Sequence, residues 1–457
     1  MLLEFKAENY RLFRDGFQFS MIPDYAKKDY SLLSSHISNK EYYGLCSSVV
    51  YGPNAAGKSS IIEALDTFKS IVRNGHVNNS QQPQNWSIAP NPAAFRFDLI
   101  PNNQSKETKS VCFCIKFTTD IFLVNYKLEL DFGRFLDQNY QHKILKEELY
   151  INEDLIFSRD CNIKIADILI LKKYKNYIDI ENIETGKIIA QKNLKLDELF
   201  LTNGFKSIIA PKLAEAVINW FEDKLHIIYH AQNFHIMPVV DNRRVINLPP
   251  YIKDIAKSIG LASNNIVYFK ENEQLPPALY SVFENLNNIG VIAEAIESYG
   301  TLRLINLLLP LMQTFIDGMT LVVDEFDCSL HPMVVMSIIG LFHNPDINKN
   351  NAQLIFNTHN PIFLSKDLFR RDEIKFVDRG EDQISELYSL ADFPTSGKGS
   401  VRNTTEYMKN YFVSRYGAIK DIDFAPIFEK IMNESKKFQE NIKDGKVEVM
   451  GINIDIS

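Results

Sequence analysis

Apolar and polar positions alternate with a period of two at the start of the chain. Leu3, Phe5 and Ala7 alternate, then Phe17, Phe19 and Met21, on either side of a polar turn at 9–16. Two strands around a turn are predicted over 1–23. Residues 24–46 are polar and irregular. Ser47–Tyr51 is short, apolar and β-branched, which predicts a buried strand. Beyond it Ile61, Ile62, Leu65 and Phe68 recur at helical spacing, predicting a helix that ends near Arg73. Residues 74–94 lack periodicity and predict a long loop. Alternation then returns over 95–99, 111–117, 124–130, 145–151 and 155–159. This predicts an antiparallel meander with a hairpin turn at Asn152-Glu153-Asp154.

From about 160 to 290 the pattern reads as mostly helical. Ala214–Phe221 is amphipathic, and Ile252–Ile259 runs to a glycine stop at Gly260. Leu302–Phe315 is a strongly apolar helix, expected to be interrupted at Pro310. Thr320–Val323 and Leu354–Phe356 are apolar runs of the kind found in buried parallel strands. Lys446–Ile454 reads as a final strand. The expected fold class is α/β: a first lobe over 1–159 with an antiparallel β subdomain, a mostly helical insertion over 160–290, and a second lobe over 291–457.

The composition changes this picture little. The 457 residues suffice for two or three domains. A net charge of -7 argues against non-specific coating of nucleic acid, though not against a local basic face. No apolar run is long enough to span a bilayer. The five cysteines are odd in number and form no C-x-x-C pair, so a reducing, cytoplasmic setting is expected. Cys112 and Cys114 alternate in a strand pattern and are expected to share a core face. His226, His230 and His235 cluster without a carboxylate partner and read as structural rather than metal-binding.

The chemistry concentrates at Gly52-Pro53-Asn54-Ala55-Ala56-Gly57-Lys58-Ser59, followed by Ser60. It satisfies G-x-x-x-x-G-K-[ST] between a strand and a helix. Gly52 and Gly57 permit a tight turn and close approach to an anion. Loop N–H groups, from Asn54 to Ser60, and the helix N-terminus would face phosphates, with Lys58 adding charge. The Ser59 hydroxyl would ligate Mg²⁺. At the carboxyl end of the second apolar strand, Asp324 would hold Mg²⁺ and Glu325 would polarise an attacking water. His359 ends the third and could bond a γ-phosphate. Ser298, Gly300 and Thr301 open the apolar helix and offer a second anion site. One nucleotide cannot touch this end and its own glycine loop if they lie on opposite sides of a lobe. Two chains head to tail, each completing the other's ATP site, would solve this. Arg11 or Arg14 could reach a nucleotide or remain solvated turn residues.

This order of motifs resembles the ABC-class ATPase heads, nearest the SMC/RecF/OLD-like branch. Three further stretches, Arg370–Val377, Leu387–Phe393 and Tyr411–Ile419, are similar to the tail of RloA-type ATPases of bacterial anti-phage and abortive-infection operons. The resemblance implies ATP and Mg²⁺ as ligands, with Lys58 and Ser59 in the nucleotide loop. It makes Asp324 and Glu325 the metal and catalytic carboxylates, His359 the switch histidine, and Ser298, Gly300 and Thr301 the signature completing the partner's site. It implies a homodimer or a higher assembly of dimers, a separate effector such as a nuclease, and DNA or a phage protein as trigger, without a membrane. Two departures stand out. Cys328-Ser329-Leu330-His331 replaces the usual Asp-ended loop, and no glutamine joining the lobes can be placed, Gln81, Gln82 and Gln84 being poor candidates. Residues 419–457 leave no room for a fused Toprim nuclease. The rival reading is a RecF- or SMC-like ATPase that clamps DNA; no coiled coil supports an SMC. A transporter ATPase lacks a coupling segment.

Overall fold

The computed structural model describes residues 1–24, 32–78, 96–105, 107–229, 245–258, 261, 263, 265–270, 278–287, 289–394, 406–419 and 423–433. Its strands and helices, in order, begin with β1 (Leu2–Glu8), β2 (Phe17–Ser20), β3 (Leu32–Ile37), β4 (Lys40–Leu45), β5 (Ser47–Tyr51) and α1 (Lys58–Asn74). A run of antiparallel strands follows: β6 (Val111–Thr118), β7 (Leu123–Asp131), β8 (Lys143–Ile151), β9 (Asp154–Arg159) and β10 (Ile163–Ile165). Then come α2 (Ile168–Leu171), α3 (Ile183–Asn193), α4 (Pro211–Asn219), β11 (Leu225–Ile228), β12 (Val245–Asn247), α5 (Pro250–Ser258), β13 (Asn265–Phe269), β14 (Ala278–Phe283) and β15 (Ile289–Ile292). The last elements are α6 (Tyr299–Asp317), β16 (Thr320–Val323), α7 (Pro332–Phe342), β17 (Gln353–Asn357), β18 (Ile374–Arg379), β19 (Ser385–Ser389) and α8 (Tyr407–Phe412).

Two sheets carry the architecture. One has six strands in the order β11-β16-β17-β5-β18-β19, parallel except for the β18–β19 edge. The other has seven antiparallel strands in the order β10-β9-β8-β7-β6-β1-β2. The fold class is therefore α/β with an antiparallel β subdomain, as the hydrophobic pattern predicts. Strands β5, β16 and β17 are buried at every position, as expected of parallel strands covered on both faces. Strand β6 alternates instead, with Val111, Phe113, Ile115 and Phe117 turned inward.

Helix α1 packs on that inward face. Phe68 stacks on Phe113 at 5.3 Å and on Tyr126 at 5.8 Å, and meets Phe221 edge-on at 5.5 Å. Burying such a ring contributes roughly 1.5–3 kcal/mol. Gln353 joins the two sheets through one buried amide. It accepts from Leu2 N–H at 2.6 Å and donates to the carbonyls of Leu2 and Leu45 at 3.0 and 2.9 Å. A smaller core of Leu248, Ile252, Ile266, Tyr268, Leu279, Leu302 and Ile305 joins α5 and α6 to the sheet β12-β13-β14-β15.

Several expectations are corrected. Residues 32–45 form a hairpin, Leu32–Ile37 against Lys40–Leu45, where the polar composition hid the pairing. Phe97–Leu99 is a 3-10 turn, not a strand, with Arg96 and Asp98 paired across it. Among the described residues, the segment 160–290 holds strands as well as helices. Helices occupy much of 168–224, but β11 joins the parallel sheet and β12–β15 form a sheet of their own. A boundary at 159 would also cut a continuous core, since Phe157 packs edge-on against Phe200 at 4.8 Å. The chain divides into two compact units, 1–418 and 419–457. The second unit contributes a helix over 425–433. Pro310 does not interrupt α6, which runs through it; the Thr314 hydroxyl donates to the Pro310 carbonyl at 2.7 Å within the continuing turn. Cys112 and Cys114 share a face, but it is the half-buried outer one, because the aromatic residues between them take the core side. The hairpin turn at Asn152-Glu153 has both residues at positive φ, 50 and 74°, the type I′ geometry that matches strand twist. Most of the loop expected at 74–94, the strand expected at 446–454, and His230 and His235 lie outside the described residues. Among the described residues, no helix is long and apolar enough to cross a membrane.

Candidate active site

Parallel pairing in register brings three separate stretches to one edge. Val50 pairs with both Asn357 and Lys375, and Val323 pairs with Phe356. The residues that follow β5, β16 and β17 therefore leave the same carboxyl edge side by side, where α/β sheets hold ligands.

Gly52 passes so close to β18 that an added Cβ would sit 2.3 Å from the Val377 carbonyl oxygen. Gly57 precedes α1 at φ 111°, a conformation that favours glycine. The loop between them is braced from outside: the Ser385 hydroxyl donates to the Ala56 carbonyl at 2.6 Å. Lys58 is buried, and its Nζ donates to the carbonyls of Gly52 and Pro53 at 2.8 and 3.0 Å. Burial lowers its pKa to about 8, outweighing the charges of Asp324 and Glu325.

The Ser59 hydroxyl donates to Asp324 Oδ1 at 2.9 Å. With Mg–O bonds of about 2.0–2.1 Å, adjacent ligands of an octahedral ion are about 2.9 Å apart. The two oxygens thus already have the spacing of a ligand pair. Asn357 reaches the same carboxylate: its Nδ2 donates to Asp324 Oδ1, and its Oδ1 accepts from Glu325 N–H at 2.6 Å. Glu325 stands at φ 50°, and its carbonyl accepts from the buried Arg303 guanidinium. Held at N–H and carbonyl, the Glu325 backbone fixes where the carboxylate starts.

His359 lies exposed at the rim, its Nδ1 3.4 Å from Lys58 Nζ. Partial desolvation, then the Lys58 charge, holds its pKa below the ordinary value. Arg11 pairs with Glu63 of α1 on the other wall. Burial pushes the Glu63 carboxyl up to about 7 despite the guanidinium. Arg14 is turned away and pairs with Asp15.

The cleft these residues enclose has a volume of about 370 Å³ and is lined by Asn54, Gly57, Lys58, Ser59, Ser60, Glu63, Glu325 and His359 among others. Ser298, Gly300 and Thr301 do not line it. They form the start of α6, with Ser298 exposed and Gly300 and Thr301 half-buried, and the Ser298 hydroxyl accepts from Thr301 N–H at 3.1 Å. Just before them buried Glu297 accepts from the hydroxyls of Ser263 and Ser281, tying this helix end to the smaller sheet.

Sequence reasoning passed over Asn357, Glu63 and Arg303. Asn357 had a signal: it is the one polar residue closing an apolar strand before Thr358-His359. Glu63 and Arg303 had none, since a charged residue on a helix usually marks the solvated face.

A family model described as "AAA domain, putative AbiEii toxin, Type IV TA system" matches residues 47–365. No curated protein matches the chain. Among solved structures it is similar to the SMC head domain from Thermotoga maritima, at 13% identity and TM-score 0.37 over 85% of this chain and 98% of that one. It is also similar to the Smc head domain with an extended coiled coil bound to the C-terminal domain of ScpA, derived from Pyrococcus furiosus. That likeness has 11% identity and TM-score 0.35 over 85% of this chain and 96% of that one.

Proposed function

This chain belongs to the AAA-domain family whose model matches residues 47–365, and on that premise we propose that it binds and hydrolyses ATP to control a separate effector, a nuclease, in bacterial anti-phage defence. One observation carries the catalytic part: Lys58, Ser59, Glu325 and His359 face one cleft, with Asp324 bonded to Ser59 beneath it. Loop N–H groups from Asn54 to Ser60 and the start of α1 hold the phosphates. Ser59 and Asp324 hold Mg²⁺, which neutralises charge on the phosphate oxygens. Lys58 leaves the Gly52 and Pro53 carbonyls to pair with phosphate oxygen. Glu325 takes a proton from water as the water oxygen bonds to the γ-phosphorus and the bond to the bridging oxygen breaks. His359 donates to a γ-phosphate oxygen.

The Ser298-Tyr299-Gly300-Thr301 end of α6, exposed at Ser298 and Tyr299, supports a head-to-tail pair in which each chain closes the other's site. ATP then joins two copies, which can associate further. Closure controls the effector, and DNA or a phage protein is the trigger. Glu325→Gln should retain ATP binding and accumulate an ATP-dependent dimer by light scattering, while turnover falls about 10²–10⁴-fold. Lys58→Ala should lose both binding and dimer. Undiminished turnover in Glu325→Gln would refute the assigned base, and a monomer at saturating ATP would refute the composite site. Stimulation by duplex DNA without a nuclease partner would favour the DNA-clamping alternative.

A further inference from the structure

The opposite end of the same sheet holds a second constellation. Cys46 immediately precedes β5, His343 caps the end of α7, and Glu373 leads into β18. Their ligand atoms, one per residue, all lie within 4.8 Å of one another. Cys46 Sγ is 3.8 Å, and His343 Nε2 3.1 Å, from Glu373 Oε1. From these positions we infer that Cys46, His343 and Glu373 form a binding site for one zinc-class divalent cation.

The donor set is that of zinc: a sulfur, an imidazole nitrogen and a carboxylate oxygen. With zinc–ligand bonds of about 2.0–2.3 Å, tetrahedral ligand atoms lie about 3.5 Å apart. The observed 3.1 and 3.8 Å bracket that value. Ser47 supplies the fourth corner. Its hydroxyl is 2.8 Å from His343 Nε2 and 2.9 Å from Glu373 Oε1, placed to ligate or to hold a metal-bound water. Glu373 is anchored for the task, because its other oxygen accepts from Arg370 N–H at 2.8 Å. Thiolate and carboxylate together balance a divalent charge, which suits a site where Cys46 and Glu373 are fully buried. His343 retains some exposure and gives the ion an entry path. This is a different site from Ser59 and Asp324, whose all-oxygen set suits Mg²⁺. Bound metal would cross-link three elements, the starts of β5 and β18 and the end of α7. One of them, β5, leads straight into the phosphate-binding loop.

The test uses the full chain, free of affinity tag and stripped with a chelator. Zn²⁺ is titrated against a chromophoric competitor, and Co²⁺ is added separately to read its spectrum. About one tightly held zinc is expected, with a cobalt–thiolate charge-transfer band in the near ultraviolet. Cys46→Ser should abolish that band, and Cys46→Ser and His343→Gln should each weaken zinc binding at least about tenfold. Circular dichroism checks that both variants fold. Absence of the charge-transfer band in the wild-type chain overturns the proposal whatever the variants do. Zinc retention unchanged in both folded variants also overturns it, by placing the ion elsewhere.

Discussion

Raising the pH should weaken nucleotide binding through Lys58. Lys58 is only 6% exposed, and two carbonyls are the closest partners of its ammonium. Burial therefore dominates and lowers the pKa from 10.5 to about 8. A bound triphosphate places several negative charges against it and restores the protonated form. Binding then requires protonation, and the apparent dissociation constant grows as one plus the ratio of neutral to charged Lys58. From about pH 7 to about pH 9 that factor is roughly tenfold, or about 1.4 kcal/mol. Two other groups ionise near this window. The last phosphate ionisation, near about 6, is complete before this window opens. Glu63, pushed up to about 7, finishes ionising in the lower part of the window, a change that the Lys58→Arg control retains. Protein stability runs the other way. The folded chain binds fewer protons at Lys58 between about 8 and 10.5, so this group's contribution to stability rises with pH across that window. The assay is calorimetric titration with a non-hydrolysable ATP analogue and Mg²⁺, in two buffers of different ionisation enthalpy. Proton uptake of about one-half per site is expected at about pH 8, rising above it. Lys58→Arg, charged throughout, should bind with little pH dependence in this range. Flat wild-type affinity with the chain folded, or no proton uptake, would refute the reasoning.

Asn357→Ala removes the acceptor of Glu325 N–H and a donor to Asp324. It should cost about 1–3 kcal/mol in denaturant unfolding and lower kcat more than ATP affinity; an unchanged kcat would separate Asn357 from the catalytic carboxylates. Gly300→Ala sets a Cβ 2.4 Å from the Ser329 carbonyl oxygen. If α6 completes a partner's site, this shift should cut turnover roughly 10²-fold while binding to the chain's own loop persists; full turnover would count against that role. Phe68→Ala should cost about 3–5 kcal/mol in denaturant unfolding, since the ring joins α1 to the antiparallel sheet. A loss below about 1 kcal/mol would mean that the site had collapsed around the vacancy.

The parts of the fold that were legible in the sequence are those that local pattern encodes. Alternation marks β1, β2 and the meander because one face of each strand is buried. The glycine loop is legible for a similar reason: its motif is written in consecutive residues with a strand before and a helix after. The Asp324-Glu325 pair and His359 were visible as polar ends of apolar strands. Where local composition misleads, the reading failed. The hairpin at 32–45 hides in polar residues, and the sheet of β12–β15 hides among helical-looking runs.

Only tertiary structure decided what meets what. Strand β5 finds its parallel partners β17 and β18 hundreds of residues away, and register is set by packing rather than by any local signal. That register puts Asn357 between Asp324 and Glu325 at one end of the sheet. At the other end it helps to gather Cys46, His343 and Glu373, each unremarked in its own surroundings. Sequence by itself picked out the candidate phosphate-binding residues, because backbone conformation and residue type are short-range properties. The pKa values of Lys58 and Glu63 were decided by burial, which exists only once distant segments have closed over those side chains.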